Sequence, residues 1–113
     1  MEVGARRVVA RVTALFVGPG ALADLLEIRE HYDTVESGLS RRFAEALDEL
    51  FVRLEEFPRS APVVAGYADV RRAVVRGFPY VVFYLHQPDR IDVLRVLHAV
   101  RSDADRPPGE TPR

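Results

Sequence analysis

Residues Val70–Arg101 read VRRAVVRGFPYVVFYLHQPDRIDVLRVLHAVR and constrain the fold more than any other part of the chain. Three runs rich in β-branched and aromatic residues follow one another, at about Val70–Arg76, Tyr80–His86 and Arg90–Val100. Gly77-Phe78-Pro79 separates the first from the second, and Gln87-Pro88-Asp89-Arg90 the second from the third. Glycine supplies positive φ and proline fixes φ while removing a donor, so both punctuate strands. Strands joined this tightly pair with their sequence neighbours, and the expected unit is a three-stranded antiparallel meander.

The upstream half supplies the elements that cover such a sheet. Val8–Val17 is rich in β-branched residues and reads as a first strand, stopped by Gly18-Pro19-Gly20. Ala21–Glu36 reads as a helix with Leu22, Leu25, Leu26, Ile28, Tyr32 and Val35 at mostly helical spacing. Leu39–Phe57 is the clearest helix: Leu39, Phe43, Ala46, Leu47, Leu50, Leu54 and Phe57 recur at three- and four-residue steps, and Pro58 ends it. The short link between them predicts an antiparallel helical hairpin. Arg59–Ala68 reads as a loop, and residues 102–113 as a C-terminal tail following a single domain of residues 1–101. The order is β-α-α-β-β-β. The expected fold class is α+β, a four-stranded, largely antiparallel sheet with a helical hairpin packed on one face.

Several chemistries are excluded by the residues present. The chain has 113 residues and no cysteine, which removes disulfides, thiolate nucleophiles and zinc–thiolate sites. No His/Asp/Glu set has metal-ligand spacing, and Gly18-Pro19-Gly20 does not match a phosphate-binding loop. No serine sits in a nucleophile elbow. The expectation is therefore no metal and no cofactor. No apolar run approaches the ~20 residues that span a bilayer. Ala14-Leu15-Phe16-Val17 is too short for a secretory signal core, so a cytoplasmic protein without a membrane partner is expected.

Charge is balanced overall, at −1, but unevenly distributed. Asp24–Glu56 holds ten acids against four arginines, whereas Arg59–Arg101 holds seven arginines against three acids. An acidic helical half and a basic sheet half follow. All 16 basic residues are arginine, the side chain suited to planar, bidentate contacts with phosphate or carboxylate, although GC-rich coding bias is the simpler explanation.

If the loop at Pro88-Asp89 has an even length, Tyr84 lies opposite Val93, Phe83 opposite Leu94 and Val82 opposite Arg95. Val81, Phe83, Leu85, Leu94 and Val96 then form a hydrocarbon face expected to meet the helices. Tyr80, Val82, Tyr84, His86, Val93, Arg95 and Leu97 form a mixed face suited to a partner. Arg71, Arg72 and Arg76 lie on the first strand of the meander, with Arg72 and Arg76 on one face. With Arg95 and Arg101 they form a candidate phosphate-contacting patch, or simply a charged edge that blocks aggregation. His98, three residues before Arg101, is a candidate general acid or base, or a structural residue at the sheet end. His31 and His86 read as surface residues.

The ordered set of segments resembles the RelE/ParE toxins of bacterial type II toxin–antitoxin systems, and the ParE branch more than the RelE branch. The resemblance runs through Pro19-Gly20-Ala21, Asp24-Leu25, Glu27-Ile28, His31-Tyr32, Gly38-Leu39 and Arg42-Phe43. It is strongest in Arg72–Arg76, Phe78-Pro79-Tyr80, Val82-Phe83-Tyr84, Ile91–Val93, Val96-Leu97-His98 and Arg101, and covers about Val12–Arg101. It implies the fold already derived, a cognate antitoxin protein as partner, and growth inhibition of the kind that stabilises plasmids. A ParE-like toxin binds its target, with DNA gyrase implied, through Arg72, Arg76, Tyr80, Tyr84, Arg95 and Arg101. The alternative is a RelE-like ribosome-dependent mRNA endonuclease using Arg72, Arg76, Arg95, His98 and Arg101, with the ribosome and mRNA as partners. A third reading is a non-toxic member that only binds the antitoxin. No sequence-specific DNA binding by the toxin alone is implied. The lysine-free basic set, the lack of a tyrosine after Tyr84, the FPY segment and the terminal H-x-x-R favour the ParE side.

Overall fold

The computed structural model describes residues 13–99. Strand β1 (Ala14–Val17) leads into helix α1 (Pro19–Val35) and helix α2 (Leu39–Glu56); β2 (Val70–Val74), β3 (Tyr80–His86) and β4 (Arg90–His98) follow. The sheet order is β1-β4-β3-β2, with β1 parallel to β4 and the other pairs antiparallel. The α+β expectation and the element order therefore hold. The tail, Arg101, Val100 at the end of the expected last strand and the Val8–Val12 part of the strand expected at Val8–Val17 lie outside the described residues, as does the domain boundary at residue 101. No helix among the described residues is long and apolar enough to cross a membrane.

Pro19 opens α1 at a position where its missing N–H costs nothing. The Gly18 N–H donates to Val93 O at 2.9 Å, which fixes the start of α1 against the middle of β4. A Cβ at Gly20 would lie 3.2 Å from Leu94 O and 2.9 Å from Arg95 Cδ, so any larger residue here would have to displace the Arg95 side chain or part α1 from β4. That contact decides which face of α1 is buried. Ala21, Asp24, Ile28 and Tyr32 turn inward, while Leu22, Leu26 and Val35 stay exposed. The leucine-based face expected from spacing is thus only partly used, because the small residues at the helix start must meet the sheet. α2 follows expectation, burying Phe43, Leu47, Leu50 and Leu54. Phe57, expected on that face, lies beyond the helix end and is 62% exposed.

Along β3 and the first part of β4 the faces of the meander are the reverse of those expected, whereas Val96 faces the helices and Leu97 the other side, as expected. Tyr84 does pair with Val93, but a β-bulge follows, so Phe83 pairs with Arg95 and Val82 with Val96. Leu94 is the extra residue, and beyond it the inward face passes from Val93 to Val96. The helices cover Ala73, Val75, Val82, Tyr84, Ile91, Val93 and Val96. Val81 and Phe83, expected beneath the helices, instead pack with Val64 and Val70 on the opposite face, with Tyr67, Leu85, Leu94 and Leu97 around them. Both faces are apolar because the segment between α2 and β2 covers the second one. Its Val64 N–H donates to Val70 O at 2.8 Å, the Arg72 N–H donates to Pro62 O at 3.0 Å, and Val63 bridges Arg71. This pairing also closes the outer edge of β2.

Candidate functional site

β1 pairs with Arg90–Val93, so among the described residues the second half of β4 has no strand on that side. α1 takes the place of one. Its inward stripe carries a carboxylate, Asp24, between Ala21 and Ile28. Asp24 Oδ2 accepts from Arg95 Nε at 2.7 Å and from the Val96 N–H at 2.8 Å, and Oδ1 accepts from Arg95 Nη2 at 2.9 Å. Asp24 thereby satisfies an open backbone donor of β4 and holds a bidentate ion pair. The hydrogen bond to Asp24 lifts the Arg95 guanidinium further above its already high range, against the opposing effect of burial.

Beside this pair lies a groove of about 830 Å³ between α1, the end of β4 and the start of β3. Asp24 and Arg95 form its floor, with Glu27, His31, Tyr32, Tyr80 and His98 around it. The rings contact one another: His31–Tyr32 centroids are 5.5 Å apart, Tyr32–Tyr80 6.1 Å and Tyr80–His98 5.2 Å, the last two edge-on. Burial, then the neighbouring Tyr80, pushes the Tyr32 hydroxyl above its ordinary value. Backbone groups alternate in direction along a strand. Ala99 donates to Pro79 O across the sheet, Val96 donates to Asp24, and so the backbone of His98 also faces the groove.

A second groove, of about 510 Å³, lies between α2 and β2 and gathers Arg53, Arg72, Arg76 and Ser60. The residues expected to act together are therefore divided. Tyr80, Arg95 and His98 share the first groove; Arg72 and Arg76 line the second. Arg76 lies past the end of β2, in the turn around Gly77. Arg71 is structural: its Nη1 donates to Ala61 O at 2.7 Å and Arg59 O at 3.3 Å. Tyr84 is 0% exposed and its hydroxyl donates to Pro58 O at 2.7 Å, so it belongs to the core and not to a contact surface. Sequence reading missed Asp24, Glu27, His31 and Tyr32 on the first groove and Arg53 and Ser60 on the second. Asp24 had a legible signal, a lone carboxylate at helical spacing with Ala21, Ile28 and Tyr32. The others are brought in only by packing. Among the described residues no group of three or more His, Cys, Asp or Glu is arranged to hold a metal ion.

Comparison with known proteins is consistent with this geometry. The family described as "ParE toxin of type II toxin-antitoxin system, parDE" matches residues 15–102. A solved structure titled "Chromosomal ParDE TA system from P. aeruginosa" superposes with a TM-score of 0.65 at 21% identity, covering 78% of this chain and 97% of that one. At that identity the likeness is one of fold. No match was found among curated proteins.

Proposed function

We propose, from the premise that this chain belongs to the ParE toxin family of type II toxin–antitoxin systems, that it arrests growth by binding DNA gyrase in the cytoplasm and is held inactive by a cognate antitoxin. One observation carries the choice of binding over RNA cleavage. A ribonuclease of the RelE kind needs several cations around one phosphate and a proton shuttle beside them. Here Arg95 is bound bidentately to Asp24 in one groove, while Arg72 and Arg76 line another. The paired Arg95 has its charge offset by the Asp24 carboxylate and two of its five N–H donors committed to it. The target surface of this reading is the arginine groove, with Arg72 and Arg76 as contacts and Arg53 added from α2.

The test is expression of the chain alone and with the product of its neighbouring gene, followed by assays on purified protein. The expected result is growth arrest rescued by the neighbour, with loss of gyrase supercoiling activity and intact mRNA on translating ribosomes. Arg72→Ala/Arg76→Ala is expected to lower toxicity while antitoxin binding persists. Cleaved mRNA at the ribosomal A site would overturn the gyrase reading in favour of the endonuclease. Absence of toxicity would overturn both and leave a protein that only binds its antitoxin.

A further inference from the structure

We propose that the α1–β4 groove is a receptor for one cationic side chain, an arginine or a lysine, carried by the antitoxin segment that covers the toxin. The inference rests on the toxin–antitoxin reading above and adds a site and a ligand chemistry to it. The lining has the properties of a cation site. Tyr32, Tyr80, His31 and His98 line it with their rings packed tilted or edge-on against one another, and an aromatic face attracts a guanidinium or an ammonium through its quadrupole. Glu27 stands exposed at the lip, one turn before His31. The floor does not repel a cation, because Arg95 is neutralised by the carboxylate of Asp24 at 2.7 and 2.9 Å. With the histidines neutral, Asp24 and Glu27 outweigh Arg95 and leave one net negative charge in the lining.

The same features argue against an anion. The arginine of this groove has two of its five N–H donors on Asp24, which offsets its charge, and Glu27 and Glu30 stand exposed on α1. The arginines assigned to the target line the other groove, so one partner can occupy each. A basic residue meeting the acidic helical half also complements the charge asymmetry of the whole chain.

The experiment measures the affinity of the full chain for the purified product of the neighbouring gene by calorimetry. Glu27 is exposed, so Glu27→Gln and Glu27→Lys leave the fold intact, which circular dichroism checks. Glu27→Lys is expected to weaken binding about tenfold or more, with Glu27→Gln in between. One arginine or lysine of the antitoxin, changed to methionine, should lose its effect in the Glu27→Lys background, which is the signature of direct coupling. In parallel, N-acetyl-arginine amide titrated into the toxin alone should shift the NMR signals of the Tyr80, His98 and Tyr32 rings, whereas N-acetyl-glutamate amide should not. Equal antitoxin affinity of wild type and Glu27→Lys would overturn the cation site while leaving the toxin–antitoxin reading intact. No antitoxin binding by wild type would overturn both. Arginine-amide shifts that appear only in Arg101→Ala would assign the groove to the chain's own Arg101, and would also overturn the proposal.

Discussion

Replacing Asp24 tests the frame on which both the groove and the attachment of α1 depend. The Asp24 side chain is 11% exposed and accepts three hydrogen bonds, whereas Arg95 keeps 35% exposure. Asp24→Ala strands the buried Val96 N–H, at a cost of about 1–3 kcal/mol. Removing one partner of a fully buried pair costs about 3–5 kcal/mol, but Arg95 can turn to water, so about 1 kcal/mol is the share retained here. The sum is about 3 kcal/mol, a large part of what a domain of this size has. With an unfolding entropy of about 2.1 cal/mol/K per residue over the 87 described residues, the midpoint should fall by about 15 °C. Asp24→Asn keeps an acceptor for Val96 and should cost about half as much. The assay is urea denaturation of wild type, Asp24→Ala, Arg95→Met and the double variant. A coupling energy of about 1 kcal/mol is expected between the two positions. Asp24→Ala unfolding within about 0.5 kcal/mol of wild type, or sites that are simply additive, would refute the reasoning.

Three further outcomes follow from individual contacts. Gly20→Ala inside a helix ordinarily stabilises by about 0.5–1 kcal/mol. Here the new Cβ meets Leu94 O at 3.2 Å and Arg95 Cδ at 2.9 Å, so denaturation should show a net loss of about 1–2 kcal/mol. Arg71→Ala should destabilise by more than 1 kcal/mol on thermal melting, since it strips donors from the Arg59 and Ala61 carbonyls, whereas Arg76→Ala, exposed past the end of β2, should be near neutral for stability. Burial raises the Tyr84 and Tyr32 hydroxyls above the ordinary tyrosine value of about 10. The folded state thus favours the neutral phenol: this contribution is fully present below pH ~10 and is lost as the pH rises through the raised folded values. Unfolding followed against pH, with tyrosinate absorbance as the probe, should show an alkaline loss that shrinks in Tyr84→Phe, a variant about 1 kcal/mol less stable at neutral pH from the missing bond to Pro58 O.

The sequence determined by itself those features that depend on neighbours along the chain. Glycine and proline at 18–20, 77–79 and 88 divide the chain, and periodicity identifies α2 and the meander, because turn chemistry and side-chain spacing act over a few residues. It also held the family resemblance, carried by the order of short segments over most of the domain. Tertiary structure alone decided which face is which. Strand alternation shows that Val81, Phe83 and Leu85 oppose Val82 and Tyr84, but both sets are apolar, so hydrophobicity could not say which one meets the helices. A single bulge at Leu94 then moved Val96 to the inward face with Val93, and a one-residue insertion of this kind leaves no periodic mark. The candidate site has the same origin. Asp24 and Arg95 are 71 residues apart, and their pairing follows from the close approach of Gly18 and Gly20 to β4. Residue types told which side chains can carry charge. Only the packing of α1 on an unpaired stretch of β4 decided which of them meet.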